Sequence, residues 1–156
     1  SNRFDGVWSN NTLKGGMSFV SPMWPKVGRL VLDASIASAL NNRDNKKFVL
    51  GAESGLRGVT SRFYLGAQAF KANAEFRTAP YDLWILYVGG VLFYDAGSAF
   101  ELWSQANMTQ SIGFGLRILA PQISSQLFRI DLGFPISGRG RNYDVVVPSF
   151  GIGQAF

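Results

Sequence analysis

Cysteine and histidine are both missing from this 156-residue chain. The first absence removes any disulfide framework and any thiolate metal site. The second removes the commonest metal ligand and the commonest general base. A Ser-His dyad is therefore impossible, and neither enzymatic activity nor a cofactor is expected. Charge is scarce as well, at 16% of residues, and the net +5 comes from Lys and Arg scattered along the chain. They form no basic patch with interleaved aromatics, so nucleic acid is not an expected partner. Long hydrophobic runs are lacking too. The longest, Leu83 to Tyr94, is bracketed by Asp82 and Asp95. As a helix it would cover only about 18 Å of a hydrocarbon core roughly 30 Å thick, whereas as a tilted strand it is long enough. No basic segment followed by an apolar one opens the chain, so a secretory leader is expected to have been removed.

What the chain does have is glycine (18 residues), aromatic side chains (14%) and a hydrophobic content of 47%. That is too apolar for disorder and too rich in glycine for a helical bundle. The length argues for a single domain spanning residues 1–156. Apolar and polar residues alternate with period 2 through most of it, which predicts strands. The expected strands are Arg3–Ser9, Thr12–Val20, Arg29–Leu40, Phe63–Arg77, Leu83–Ala96, Gln110–Ala120, Leu127–Phe134 and Asp144–Phe156, eight in all. A further short piece, Phe48 to Ala52, lies inside the long connection Asn41–Arg62.

The apolar face is continuous and aromatic on nearly every strand, while the other face mixes glycine with charges of both signs. A soluble sandwich or barrel would bury the first face and wet the second. The mixed second face fits better the inverted pattern of an antiparallel transmembrane β-barrel of about eight strands, apolar outside and polar within. Trp84 and Tyr94 share a face ten positions apart, about 33 Å along a strand and roughly 25 Å in height at a ~40° tilt, the spacing of two aromatic girdles. Short connections containing proline (Ser21–Gly28, Thr78–Asp82, Pro121–Ser125) alternate with longer ones (Asn41–Arg62, Gly97–Met108, Ser137–Asn142), as in outer-membrane barrels.

Six motifs in order over residues 50–156 carry a resemblance. They are Leu56-Arg57-Gly58, Glu75-Phe76-Arg77, Phe93-Tyr94-Asp95-Ala96-Gly97, Gly115-Leu116-Arg117, Phe128-Arg129-Ile130-Asp131 and the terminal segment from Phe150 through Ile152 to Phe156. Together they resemble the C-terminal half of the BamA-type superfamily of outer-membrane assembly and two-partner-secretion barrels. The resemblance implies a bacterial outer-membrane location, with membrane lipid as a partner. It also implies that the Asn41–Arg62 loop folds into the lumen, that Arg57 pairs with Asp95, and that the final strand is read by the assembly machinery. Its function would lie in protein insertion or translocation; the alternative is a small anchoring barrel without transport.

The chain departs from the family in having about eight strands rather than sixteen and no soluble repeats, so it is expected to be either an excerpt, the eight-stranded half of a larger barrel, or a small self-contained barrel built from the same half. Joining two copies edge to edge is one route to sixteen. On the charged face, Arg29, Arg57, Lys71, Arg77, Arg117 and Arg129 nearly balance Asp33, Glu75, Asp95 and Asp131. Arg129–Asp131 and Glu75–Arg117 are further candidate contacts there, the alternative being charges hydrated one by one.

Overall fold

The computed structural model describes residues 2–4, 7–9, 11–42, 44–51, 54–59, 64–102, 106–122, 126–137 and 146–154. They form twelve strands: β1 (Asn2–Phe4), β2 (Val7–Ser9), β3 (Asn11–Val20), β4 (Gly28–Leu40), β5 (Phe48–Leu50), β6 (Tyr64–Gly66), β7 (Gln68–Thr78), β8 (Tyr81–Leu83), β9 (Leu86–Phe100), β10 (Thr109–Leu119), β11 (Gln126–Ser137) and β12 (Val147–Gln154). No helix among these residues is long and apolar enough to cross a membrane.

One antiparallel sheet of eight strands dominates, in the order β12-β11-β10-β9-β7-β4-β3, with β8 added beside β9. Every ladder in it is antiparallel. The sheet wraps round, since residues of β3 and β4 at one edge and of β11 and β12 at the other line a single cavity of about 810 Å³. Among the described residues β3 and β12 share no ladder, so the sheet is open where sequence reasoning expects a closed barrel. With seven strands in that path and six antiparallel ladders between them, β3 and β12 run in the same direction. Pro148 sits on the edge strand β12, where the missing N–H is tolerated.

Side-chain burial follows the two-residue period. Along β9, Val91, Phe93 and Asp95 are buried while Leu92 and Tyr94 are exposed; along β10, Ser111, Gly115 and Arg117 are buried while Ile112, Phe114 and Leu116 are exposed. The exposed face is the apolar one. Met17 and Phe150, on the two edge strands, are 75% and 76% exposed. The buried face carries the charges: Asp95 is fully buried, and Arg57, Arg117 and Asp131 nearly so.

Several boundaries differ from expectation. Arg3–Ser9 is not one strand but the hairpin β1–β2, with Phe4 opposite Val7. Phe63–Arg77 is interrupted at Ala67, whose carbonyl accepts a hydrogen bond from the Ala39 N–H at 2.8 Å. Before that point the chain leaves the main sheet, and β6 pairs with β5 instead. This small hairpin carries its own apolar core of Leu50, Leu56, Val59 and Tyr64 against Ala69 and Ala99 of the wall. The Tyr64 hydroxyl is hydrogen-bonded to Thr109 Oγ1 on β10. The inner side of the sheet is thus polar at the ion pairs and apolar under the β5–β6 hairpin. Phe156 and residues 138–145 of the last connection lie outside the described residues.

Candidate functional site

The Arg57 segment is delivered to the inner face by a turn that closes on itself. Ser54 N–H donates to Gly51 O, the Gly51 N–H donates to Ser54 Oγ, and Leu56 N–H returns to Gly51 O at 3.0 Å. Gly55 and Gly58 flank the pair at φ +93° and +87°, a region that side-chain-bearing residues resist. Wall residues then grip the loop backbone. Lys71 Nζ donates to Ser54 O (3.1 Å), Asn73 Nδ2 to Gly55 O (2.5 Å), and Ser111 Oγ to Arg57 O.

Arg57 lies among three carboxylates from three strands. Its Nε and Nη2 donate to Asp95 Oδ2 and Oδ1, each at 2.8 Å, a bidentate fork, and its own backbone N–H adds a third bond to Oδ2 at 3.0 Å. Nη1 meets Glu75 Oε1 at 2.6 Å and lies 3.9 Å from Asp131 Oδ2. The guanidinium carbon stands 3.7 Å from the centre of the Phe93 ring. A flat cation with five fixed donors suits such a setting, which a lysine could not reproduce. Asn73 Nδ2 also donates to Asp95 Oδ1 at 2.7 Å, holding the carboxylate from its other side. The network then spreads along the wall. Arg77 donates to Glu75 Oε2 and Arg117 Nη1 to Asp131 Oδ1 at 2.6 Å.

Space for these groups comes from glycine on β10. A Cβ at Gly115 would collide with the Asp131 carboxylate. At Gly58 a Cβ would lie 2.6 Å from Ser111 Cβ, in addition to the backbone conflict.

The structure brings Arg57, Asp95, Glu75 and Asp131 together but distributes the other ions differently from expectation. Asp131 takes Arg117 and not its near neighbour Arg129; Glu75 takes Arg57 and Arg77 and not Arg117. The reason is register. Arg117 stands directly opposite Arg129 on the β10–β11 ladder, so the carboxylate two residues along serves the more buried of the two. Arg129 lies exposed along the cavity beside Gly151. Phe150 and Ile152 of the terminal strand are exposed on the outer face. Trp84 is not on β9 at all: it occupies the tip of the β8–β9 hairpin, so the girdle spacing measured along one strand to Tyr94 does not apply.

Lys71, placed on the charged face by sequence, and Phe93, part of one of the six motifs, both act at the site, while Asn73 and Ser111 act there without having been singled out. A usable signal existed for them, since each shares strand parity with a charged inner-face residue. Chemically, the arrangement is a clamp. It holds a loop across four strands, and among the described residues no group of His, Cys, Asp or Glu is placed to bind a metal ion. No family model, no curated protein and no solved structure matches this chain.

Proposed function

We propose that this chain forms the wall of a bacterial outer-membrane β-barrel, related to the BamA-type assembly and two-partner-secretion proteins, with the Arg57 loop as its internal clamp. The observation that carries this reading is the inversion of the sheet: exposed Leu, Phe and Ile on one face, buried ion pairs on the other. In water that arrangement exposes a large apolar surface; in lipid it is the favoured one. The apolar side chains that Phe150 and Ile152 present on the edge strand β12 fit a segment read by assembly machinery.

The test is refolding into phospholipid vesicles, read by heat-modifiable electrophoretic mobility and strand content. A chain that stays monomeric and folded in plain buffer, ignoring vesicles, would sink the membrane reading. An anchoring barrel without transport is the second reading, favoured by the apolar β5–β6 plug and the clamped loop, which cover part of the inner side beside the cavity. Conductance across a planar bilayer, or faster folding of a client barrel, separates the two: either one supports transport or insertion, and neither leaves the anchoring role.

A further inference from the structure

Arginine is crowded at one end of the inner face, beside the short turns. Arg29 stands directly opposite Arg77 on the β4–β7 ladder, and Arg117 directly opposite Arg129 on the β10–β11 ladder. Like charges in that position destabilise a sheet, because their Cβ atoms are only about 5 Å apart. Two such pairs at the same end are a cost that the wall alone does not explain.

Nearby carboxylates neutralise one member of each pair. Arg77 donates through Nε and Nη2 to a single oxygen of Glu75, and Arg117 donates through Nη1 to Asp131. Both acids are also shared with Arg57. Among the described residues neither Arg29 nor Arg129 forms an ion pair, and Arg77 Nη1 has no acceptor. Asp33 is four residues beyond Arg29 on β4, about 13 Å toward the long-loop end. The arginine end is therefore left positive.

Arg77 and Arg129 line the same cavity of about 810 Å³, from strands three apart in the sheet. Gly151 on β12 makes room for the second of them. A Cβ there would lie 2.8 Å from Arg129 Nη2 and 3.2 Å from Nε, so the guanidinium crosses β12 only because that residue has none. Two guanidiniums with spare donors on one cavity suit an anion that offers separate oxygens to each. The two unneutralised cations match the charge of about −1.5 to −2 that a phosphate monoester carries near neutral pH. We propose that the cavity holds a phosphate oxyanion between Arg77 and Arg129, in the positive field of Arg29 and Arg117. Two sources share that chemistry. Free phosphate enters along the inner side; a lipid phosphomonoester enters through the seam between β3 and β12, where Val20, Pro148 and Phe150 give the cavity apolar lips. The site belongs to the inner face, so it can fail while the membrane reading stands.

The test is calorimetric titration of the full chain, refolded in an uncharged detergent free of phosphate, at constant ionic strength. A chain that folds in plain buffer is titrated there, which keeps the two readings separate. Inorganic phosphate is expected to bind, and acetate and chloride are not. Arg129→Gln is expected to weaken phosphate at least tenfold. Because it also ends the opposition to Arg117, it is expected to resist urea at least as well as the parent when phosphate is absent. Lys46→Gln, which removes an exposed cation away from the cavity, is expected to change neither property. No phosphate binding by the folded chain overturns the site, as does equal weakening by the two variants. An Arg129→Gln chain that is destabilised without phosphate makes that arginine structural and overturns the proposal too. Short-chain phosphatidate that displaces phosphate supports the lipid source, and phosphate binding without such displacement supports the free anion. Displacement by the matching diacylglycerol, which has the chains and no phosphate, overturns the oxyanion contact.

Discussion

Arg57 and Asp95 form the tightest part of the molecule, and their removal is not symmetrical. Arg57→Ala leaves the fully buried Asp95 without its cation and the half-buried Glu75 with Arg77 alone. A loss of about 3–5 kcal/mol is expected, as for breaking a buried pair from one side. Arg57→Lys keeps the charge but not the fork, and is expected to recover only part of it. Denaturant titration of the refolded protein measures both, and a double-mutant cycle with Asp95→Asn isolates the coupling. Gly58→Ala is expected to cost about 1–3 kcal/mol through its positive φ. Shortening the opposing side chain by Ser111→Gly relieves the steric part only, so a complete rescue would show that the backbone conformation is not at issue.

At the scale of elements, the long strands could be read from alternation, because each has one face against packed groups and one face open. The small ones could not. β5 and β6 are three residues each, too short for a period to declare itself, and they pair across a connection whose geometry depends on the Arg57 clamp. Likewise, the face bearing Arg117, Arg129 and Asp131 was legible, but their partners were not: parity tells which side a residue faces, and only register tells what stands opposite. Trp84 shows the same limit, since a turn of Trp and Ile carries none of the usual glycine, asparagine or proline signals. The clamp makes a prediction here. In the Arg57→Ala variant, chymotrypsin is expected to cut after Leu56 or Tyr64, which are buried in the native chain, while the exposed Lys46-Lys47 site stays equally sensitive to trypsin in both. Unchanged chymotrypsin resistance would mean that the apolar contacts of the hairpin hold the loop without the ion pairs.

For the whole molecule, the decisive quantity is the sign of a substitution on the exposed apolar face. Phe114→Arg places a charge on the outside of β10, where Phe114 is 48% exposed. If that face meets hydrocarbon near mid-height, the change costs about 2–4 kcal/mol in vesicles; a face that meets water would be indifferent to it. Unfolding of the vesicle-inserted protein by urea reads the difference. The strand count has a consequence for assembly. Two identical molecules standing the same way up in one bilayer would abut along strands that point alike, and their junction would need the slanted bonding of parallel neighbours. Serine-to-cysteine changes at Ser18 and Ser149, in a protein with no thiol of its own, are therefore expected to give no disulfide between copies. A conventional hairpin-like seal on both borders needs an odd number of further strands between β3 and β12, so oddness, more than size, selects what can complete this wall.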